Sequence, residues 1–390
     1  MKFTTPNLLL VGLLSLVTTF HGAETSLYEL WDPALPVPTA AETPLLPNVE
    51  FTVLKKFEPE KDGYRWLHGL AIVRHEGEFF VSWGHNKGDE NTPTEINQGI
   101  RSKDDGKTWS PVEMIAPNTA SDGRSHGVFL SHEGTLWLFL GRFGNDEQGR
   151  RYARLKTEAF TLNQKTNQWE TRGIVADNFW PYQEPVRMAD GNWIVSGMIV
   201  PAGEWARPGV AISHGEDLTH WDTIEIPTLK DMGIWGETAI FIDGSEILAV
   251  IRGGKGYSSR ALVSVSKDYG RTWDMIRESN LPMTTSKAYA GVLSTGQRYL
   301  ICNTVKDHEQ KRYPLTIAVT APHEKLFRRM WRIRDGLRPA AGDKENVALA
   351  YPYAIEHDRK LWVVYSTARG PRNQNNAELA VFPISELAVE

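Results

Sequence analysis

Six residues able to donate, accept or move protons recur along the chain at intervals of 52 to 62 residues: His68, His126, Glu184, Glu237, Tyr289 and Tyr351. Histidine and glutamate suit general acid or base work, and a tyrosine with a neighbouring base can serve as a nucleophile. Titratable groups gathered at one mouth are costly to bury unless they bind something polar, a hydrogen-bonded, water-filled axis being the bland alternative. The even spacing ties this chemistry to a repeating structural element, which has to be found first.

Each of the six residues opens a segment of one type. "HGLAIVRHEGEFFVSWG" (68–84) and "HGVFLSHEGTLWLFLG" (126–141) are nearly the same sentence, and weaker versions follow at "EPVRMADGNWIVSGM", "ETAIFIDGSEILAVIRG", "YAGVLSTGQRYLICNTV" and "YPYAIEHDRKLWVVYST". Two short β-branched and aromatic runs around a Gly or Asp turn signal a hairpin. A second series keeps step with the first. "RSKDDGKTWS" (101–110) and "VSKDYGRTWD" (265–274) share Ser-x-Asp-x-Gly-x-Thr-Trp, as Ser102, Asp104, Gly106, Thr108, Trp109 and Ser266, Asp268, Gly270, Thr272, Trp273. A looser copy runs from Ser213 to Trp221, and Trp169 and Trp331 continue the spacing. In such a turn Asp104 and Asp268 accept backbone N–H bonds, Gly106 and Gly270 take positive φ, and Trp109 and Trp273 pack between units.

The 52 to 62 residues of one unit accommodate four strands and their loops, and sustained helical periodicity is absent beyond the N-terminal segment. Six such units arranged radially leave only short, protected edges. The sequence therefore predicts an all-β fold, a six-bladed β-propeller of four-stranded antiparallel blades. The last hairpin leaves room for one more strand, "AELAVFPI", so "VEFTVLKKF" (49–57) is expected to supply the missing outer strand and close the ring.

Composition bounds the remaining classes. The 390 residues, 41% apolar and 23% charged with a formal charge of −5, carry no nucleic-acid signature. "MKFTTPNLLLVGLLSLVTTFHGAET" reads as a secretory signal peptide (1–23) cleaved near Ala23, which predicts a secreted or periplasmic protein; no later run is long enough to span a membrane. Residues 24–48 are a Pro-rich extended lead-in, and 49–390 form the propeller. Cys302, the sole cysteine, lies in an apolar string and is expected to be a buried free thiol.

The Ser-x-Asp-x-Gly-x-Thr-Trp turn resembles the Asp-box, or BNR repeat, of the sialidase (neuraminidase) superfamily, and the resemblance covers essentially residues 49–390. It is specific for fold and weak for activity. The resemblance implies an exo-acting, retaining glycoside hydrolase that releases a terminal acidic sugar with a tyrosine nucleophile, a glutamate that activates it, an aspartate acid/base and an arginine cluster for the carboxylate. "WGETAIFIDGSEILAVIRG" is similar to the family segment carrying the glutamate and an arginine, which maps to Glu237 and Arg252; "KRYPLTIAVT" gives Arg312; "AYPYAIEHDRKLWVVYS" gives the nucleophile Tyr351, with Tyr353 its near competitor. In blade one, "YRWLHG" keeps Tyr64 and Arg65 of the family's opening signature but not its Ile-Pro, and hairpin register places Leu67 at the arginine position, followed by His68. The polar loop "GHNKGDENTPTE" offers Asp89 as the acid, with Glu90 and Glu95 as alternatives. Arg65, His68, His126, Glu184 and Tyr289 complete the expected substrate-binding set.

Two other readings stay open. His68, His85 and His126 fall in blades one and two, and a sialidase does not require them. Related propellers include polysaccharide lyases and L-rhamnose-releasing enzymes of His or His/Tyr chemistry, and a lyase on a uronate-containing glycan would use His126 or Tyr351 as base with Arg252 and Arg312 on the carboxylate. A non-catalytic glycan-binding propeller would stack sugars on Trp66, Trp83, Trp180, Tyr182 and Trp235. No cofactor or metal motif is present: the histidines lack helical spacing, there is no cysteine pair, and "IRGGKGYS" lacks a phosphate-loop pattern.

Overall fold

The computed structural model describes residues 26–147, 152–201, 204–229, 232–254, 256, 258–336, 348–368 and 374–389; the expected signal peptide lies outside them. Six antiparallel sheets follow one another along the chain. Blade one runs Trp66–His75, Glu78–Asn86, Ile96–Ser102 and Glu113–Ala116, and blade two Gly123–His132, Thr135–Phe143, Lys156–Asn163 and Gln168–Asp177. Blade four (Ile234–Asp243, Glu246–Gly253, Arg260–Ser266, Arg277–Pro282) and blade five (Tyr289–Val292, Arg298–Cys302, Leu315–Thr320, Phe327–Arg334) repeat the pattern. Blade three differs. Its inner strand is split into Phe179–Pro181 and Val186–Arg187, both paired with Trp193–Ile199, and Glu184 falls in the break.

Blade six holds Ala348–His357, Lys360–Ala368 and Asn375–Pro383, and its fourth strand is Glu50–Lys55 from the N-terminal side, paired from Glu50 opposite Val381 to Lys55 opposite Ala377 with a register shift between Val53 and Lys55. The ring therefore closes as the sequence requires. Strand alternation puts apolar side chains between blades: Phe79 of blade one stacks on Trp362 of blade six at 4.3 Å, and Phe139 of blade two meets Trp221 of blade three edge-on at 5.7 Å.

The repeated turns lie between the third and fourth strands of blades one and four. Asp104 Oδ1 accepts the Thr108 N–H at 2.9 Å, Asp104 Oδ2 accepts the Thr108 hydroxyl at 2.6 Å, and Ser102 Oγ accepts the Gly106 N–H at 2.9 Å. Asp268 and Ser266 repeat this set. Gly106 has φ +77, and a Cβ there would lie 2.6 Å from the Trp362 ring. Every fixed residue of the motif thus has a turn or packing role.

The lead-in is a strap across blades four and five. Tyr28 bridges Ser279, Trp31 bridges Phe327 and Leu45 bridges Arg332, while the Asn280 side chain accepts from both Leu30 and Trp31 N–H at 2.9 Å. Leu30 and Trp31 are buried in the core they cover. Cys302 is fully buried and burial pushes its thiol up to about 12, which leaves it inert. No helix of the described residues is long and apolar enough to cross a membrane.

Candidate active site

Four inner strands lose register with their neighbours where the chemistry-bearing residues stand. The breaks fall between His68 and Ala71, Arg124 and Gly127, Ile234 and Thr238, and Ala350 and Tyr353. A bulge leaves a residue unpaired and re-aims its side chain. His68, His126, Glu237 and Tyr351 sit in or at the edge of these breaks and line one cavity of about 670 Å³, with Arg252 and Arg312. Glycine makes two of the bulges possible: Gly69 has φ +67 and Gly236 φ +76. A Cβ on Gly69 would lie 2.1 Å from the His126 ring, so that glycine also makes room for the histidine. In the fourth bulge Tyr351 itself takes φ +56, a conformation that costs a non-glycine residue about 1–3 kcal/mol and persists only where its surroundings impose it.

At the floor of the cavity the phenol of Tyr351 donates to Glu237 Oε1, and Arg252 Nη1 donates to Glu237 Oε2 and, at 2.9 Å, to the Tyr351 oxygen. Arg252 Nε reaches Thr285 Oγ1 at 3.2 Å, and its guanidinium lies 5.2 Å from the Trp235 ring centroid. Tyr351, Glu237 and Arg252 are each only 5–6% exposed. Burial first, then the charge of Glu237, raises the Tyr351 phenol above its ordinary value, while Arg252 and Arg312 pull the other way. The resting state is therefore a neutral phenol whose proton already points at a carboxylate.

The ring of His68 stands 3.9 Å from that of Tyr351, and its Nδ1 pairs with Ser366 Oγ at 2.8 Å. His126 stands 6.0 Å from Tyr351. Burial, assisted by nearby cations, holds His68 well below 6.5 and His126 down to about 3, so both imidazoles are neutral at physiological pH. Arg312 completes this face with its guanidinium 5.8 Å from the Tyr351 ring centroid and a bond to the Thr285 carbonyl at 3.2 Å.

Other expected residues are placed elsewhere. Arg65 is exposed and outside the cavity wall, one residue before the strand whose alternation turns Trp66 and His68 inward and Leu67 away. Asp89 is also exposed and off the wall, where Glu90 and Asn91 stand instead. Glu95 is buried behind them, accepting from Ser125 Oγ and, at 3.2 Å, the Asn91 N–H; burial pushes its carboxyl up to about 8. Glu184 and Tyr289 meet each other at 2.7 Å on the axis, outside the cavity lining. Trp66, Trp180, Tyr182 and Trp235 line the cavity, whereas Trp83 is wholly buried and His85 pairs with Gln98 at 2.7 Å away from it.

Sequence reasoning missed Tyr152, Met198, Glu204 and Trp205 on the wall and Thr285 behind it. Among the described residues, the ligand atoms of His214, His220 and Asp222 come within 4.8 Å of one another, on the exposed outer part of blade three, and no sequence motif marks the group.

Fold and repeated turn define a class, the BNR propellers. The chain belongs to the BNR repeat-like domain family, which matches residues 77–363. Among solved structures it is similar to a protein of unknown function from Dyadobacter fermentans (TM-score 0.65, 13% identity, 86% of this chain and 99% of that one). It is also similar to the Trypanosoma rangeli sialidase (TM-score 0.65, 14% identity, 88% of this chain but 60% of that one) and to the Hadza microbial sialidase Hz136 (TM-score 0.64, 12% identity, 86% and 68%). No curated protein matches the chain in sequence.

Proposed function

We propose that the protein is an exported, exo-acting, retaining glycoside hydrolase of sialidase type that releases a terminal acidic sugar from a glycan. The observation that carries this reading is the buried Tyr351–Glu237–Arg252 set at the cavity floor. A tyrosine hydrogen-bonded to a carboxylate is an activated nucleophile; a lectin needs no such pair. A neutral phenol also escapes the repulsion that a carboxylate nucleophile would meet from an anionic sugar.

In this mechanism Tyr351 Oη attacks the anomeric carbon as its proton passes to Glu237. The glycosidic bond breaks and the leaving oxygen takes a proton from Glu90, the carboxyl of the blade-one loop that stands on the cavity wall. Water then gives a proton to the same Glu90 carboxylate and displaces the tyrosine, whose oxygen takes its proton back from Glu237; two displacements restore the configuration. Arg312, with Arg252, faces the substrate carboxylate. The expected signal peptide would export the chain.

The Trypanosoma rangeli sialidase has been captured with 2,3-difluorosialic acid as a covalent intermediate, and the same reagent tests this chain. Mass spectrometry should show the sugar on Tyr351, and a panel of sialosides should yield free sialic acid that disappears in Tyr351→Phe. One observation favours a second reading: His68 and His126 flank Tyr351 in the unprotonated state that a general base requires, which suits a lyase on a uronate-containing glycan. Unsaturated-uronate absorbance from such polymers, with no adduct on Tyr351, would replace the hydrolase by the lyase; released rhamnose would move the chemistry to the histidines as well.

A further inference from the structure

Beneath the cavity floor lies a cation that no motif announces. Lys287, on the segment leading into the inner strand of blade five, is 3% exposed. Its Nζ donates to the Tyr182 carbonyl at 3.2 Å and to the Pro352 carbonyl at 3.1 Å. It stands 5.9 Å from the ring centroid of Tyr351 and 5.7 Å from that of Tyr353. One ammonium thereby joins blade five to the axial segments of blades three and six.

Such a group is expensive to keep. A buried charge is disfavoured by several kcal/mol unless it is paired and hydrogen-bonded, and a well-packed methionine would fill the same space at less cost. Burial pulls Lys287 down to about 8, while Glu237 and Glu184 push it back up. Its contacts show what it does. The Pro352 carbonyl belongs to the bulge that holds Tyr351 at φ +56, a place where the strand ladder is broken and a buried carbonyl needs another partner. The charge also faces the ring whose oxygen must become nucleophilic, and it disfavours protonation of His68 and His126.

We infer that Lys287 is the positioning residue of Tyr351: its ammonium clamps the strained backbone of the nucleophile's bulge across the propeller axis and keeps a positive charge against the phenol as the proton leaves for Glu237. The second half of this inference rests on Tyr351 acting as nucleophile; the clamp does not. The charged and titratable groups around Lys287 and Tyr351 are Glu184, Glu237, Tyr353, His68, His126 and the Cys302 thiol, with Arg252 bonded to the Tyr351 oxygen and Arg312 at 5.8 Å from its ring centroid.

The test compares wild type, Lys287→Met and Lys287→Arg in the full chain. Hydrogen exchange read by mass spectrometry reports the clamp without any substrate. Lys287→Met should speed exchange about tenfold or more in the peptides spanning residues 350–354 and 182, the size of one lost charge-assisted hydrogen bond, and Lys287→Arg should keep it slow. Unchanged exchange in the methionine variant overturns the clamp.

Turnover of 4-methylumbelliferyl sialoside reports the charge. In wild type kcat should fall as pH rises through about 8, where Lys287 loses its proton. Lys287→Arg should move that limb upward by more than one pH unit, and Lys287→Met should lower kcat with little change in KM and abolish the limb. Coincident limbs in wild type and the arginine variant overturn the electrostatic half. Should the methionine variant not fold, the wild-type and arginine profiles still decide it. Turnover surviving in Tyr351→Phe, or absent from wild type, sinks the nucleophile reading and the electrostatic half with it, while the exchange result separately decides the clamp.

Discussion

Tyr351 donates its phenolic proton to Glu237 across 114 residues of chain, and Arg252 bonds to both partners of that pair. The three form one unit, so their removal should not be additive. Tyr351→Phe keeps the ring and removes the hydroxyl proposed as nucleophile: on that reading kcat on an aryl sialoside should drop at least ~10³-fold with the fold intact. Glu237→Gln should cost ~10²–10⁴-fold, and the double variant little more than the worse single one. Additive losses would mean the two residues act independently.

Glu90 stands on the cavity wall and its neighbour Asp89 does not. Glu90→Gln should slow substrates with poor leaving groups by ~10²-fold or more, and much less those with an aryl leaving group that departs unaided. Asp89→Asn should leave both rates unchanged. Steady-state kinetics with a paired aryl sialoside and sialyllactose separates the cases, and the reverse pattern would return the acid role to Asp89.

Gly69 lies against His126 at φ +67. Gly69→Ala forces a methyl into the imidazole and the backbone into an unfavourable region, a loss of about 2–4 kcal/mol. Gly77 also has positive φ, +89, but nothing within 4 Å of a Cβ, so Gly77→Ala should cost only ~1 kcal/mol. Denaturant unfolding of the two variants side by side measures the difference, and equal losses would show that the close approach is not what fixes this glycine.

Glu95 gives up its proton near 4.5 in the unfolded chain and near about 8 in the folded one. Between those values the folded state binds the extra proton, so this group makes stability fall as pH rises, by up to ~1.4 kcal/mol per pH unit. Below the lower value the penalty is absent. Buried His68 and His126 act in the opposite sense at lower pH, being neutral when folded. Glu95→Gln should therefore gain in Tm over wild type progressively from about pH 5 to about pH 8. A pH-independent difference between the two would show that the carboxyl titrates normally.

Architecture was legible because the repeat states it many times: the Asp-box turns, the tryptophan spacing and the hairpins all carry one period, and the surplus strand at 49–57 had only one place to go. Within the cavity, residues that belong to strands of the repeat, bulged or not, were the readable ones. His68, His126, Glu237, Arg252 and Tyr351 belong to inner or adjacent strands, where position in the repeat fixes position on the axis. Residues in loops were not. Nothing in "GDEN" distinguishes Asp89 from Glu90, because side-chain direction there depends on hydrogen bonds such as Asn86 Nδ2 to the Asp89 carbonyl, at 2.8 Å, rather than on a period of two. Glu204 and Trp205 enter the wall from a loop of blade three, and Lys287 precedes its strand with no motif around it. One signal was present and unused. Gly69, Gly236 and Pro352 each adjoin a site residue inside a strand, and glycine or proline in a strand interior marks a bulge.

The strand Glu50–Lys55 completes a sheet whose other three strands come from the last part of the described chain. Because of that seam, His68 of blade one and Tyr351 of blade six, neighbours in space, are separated by most of the polypeptide until the ring shuts. During synthesis the site has no partial form: a ribosome-bound chain lacking blade six holds the histidines and the glutamate but no tyrosine beside them. On the proposed function, activity would be a late event in the life of each molecule, conferred by ring closure, and a product that stops before blade six would lack the tyrosine on which that function rests.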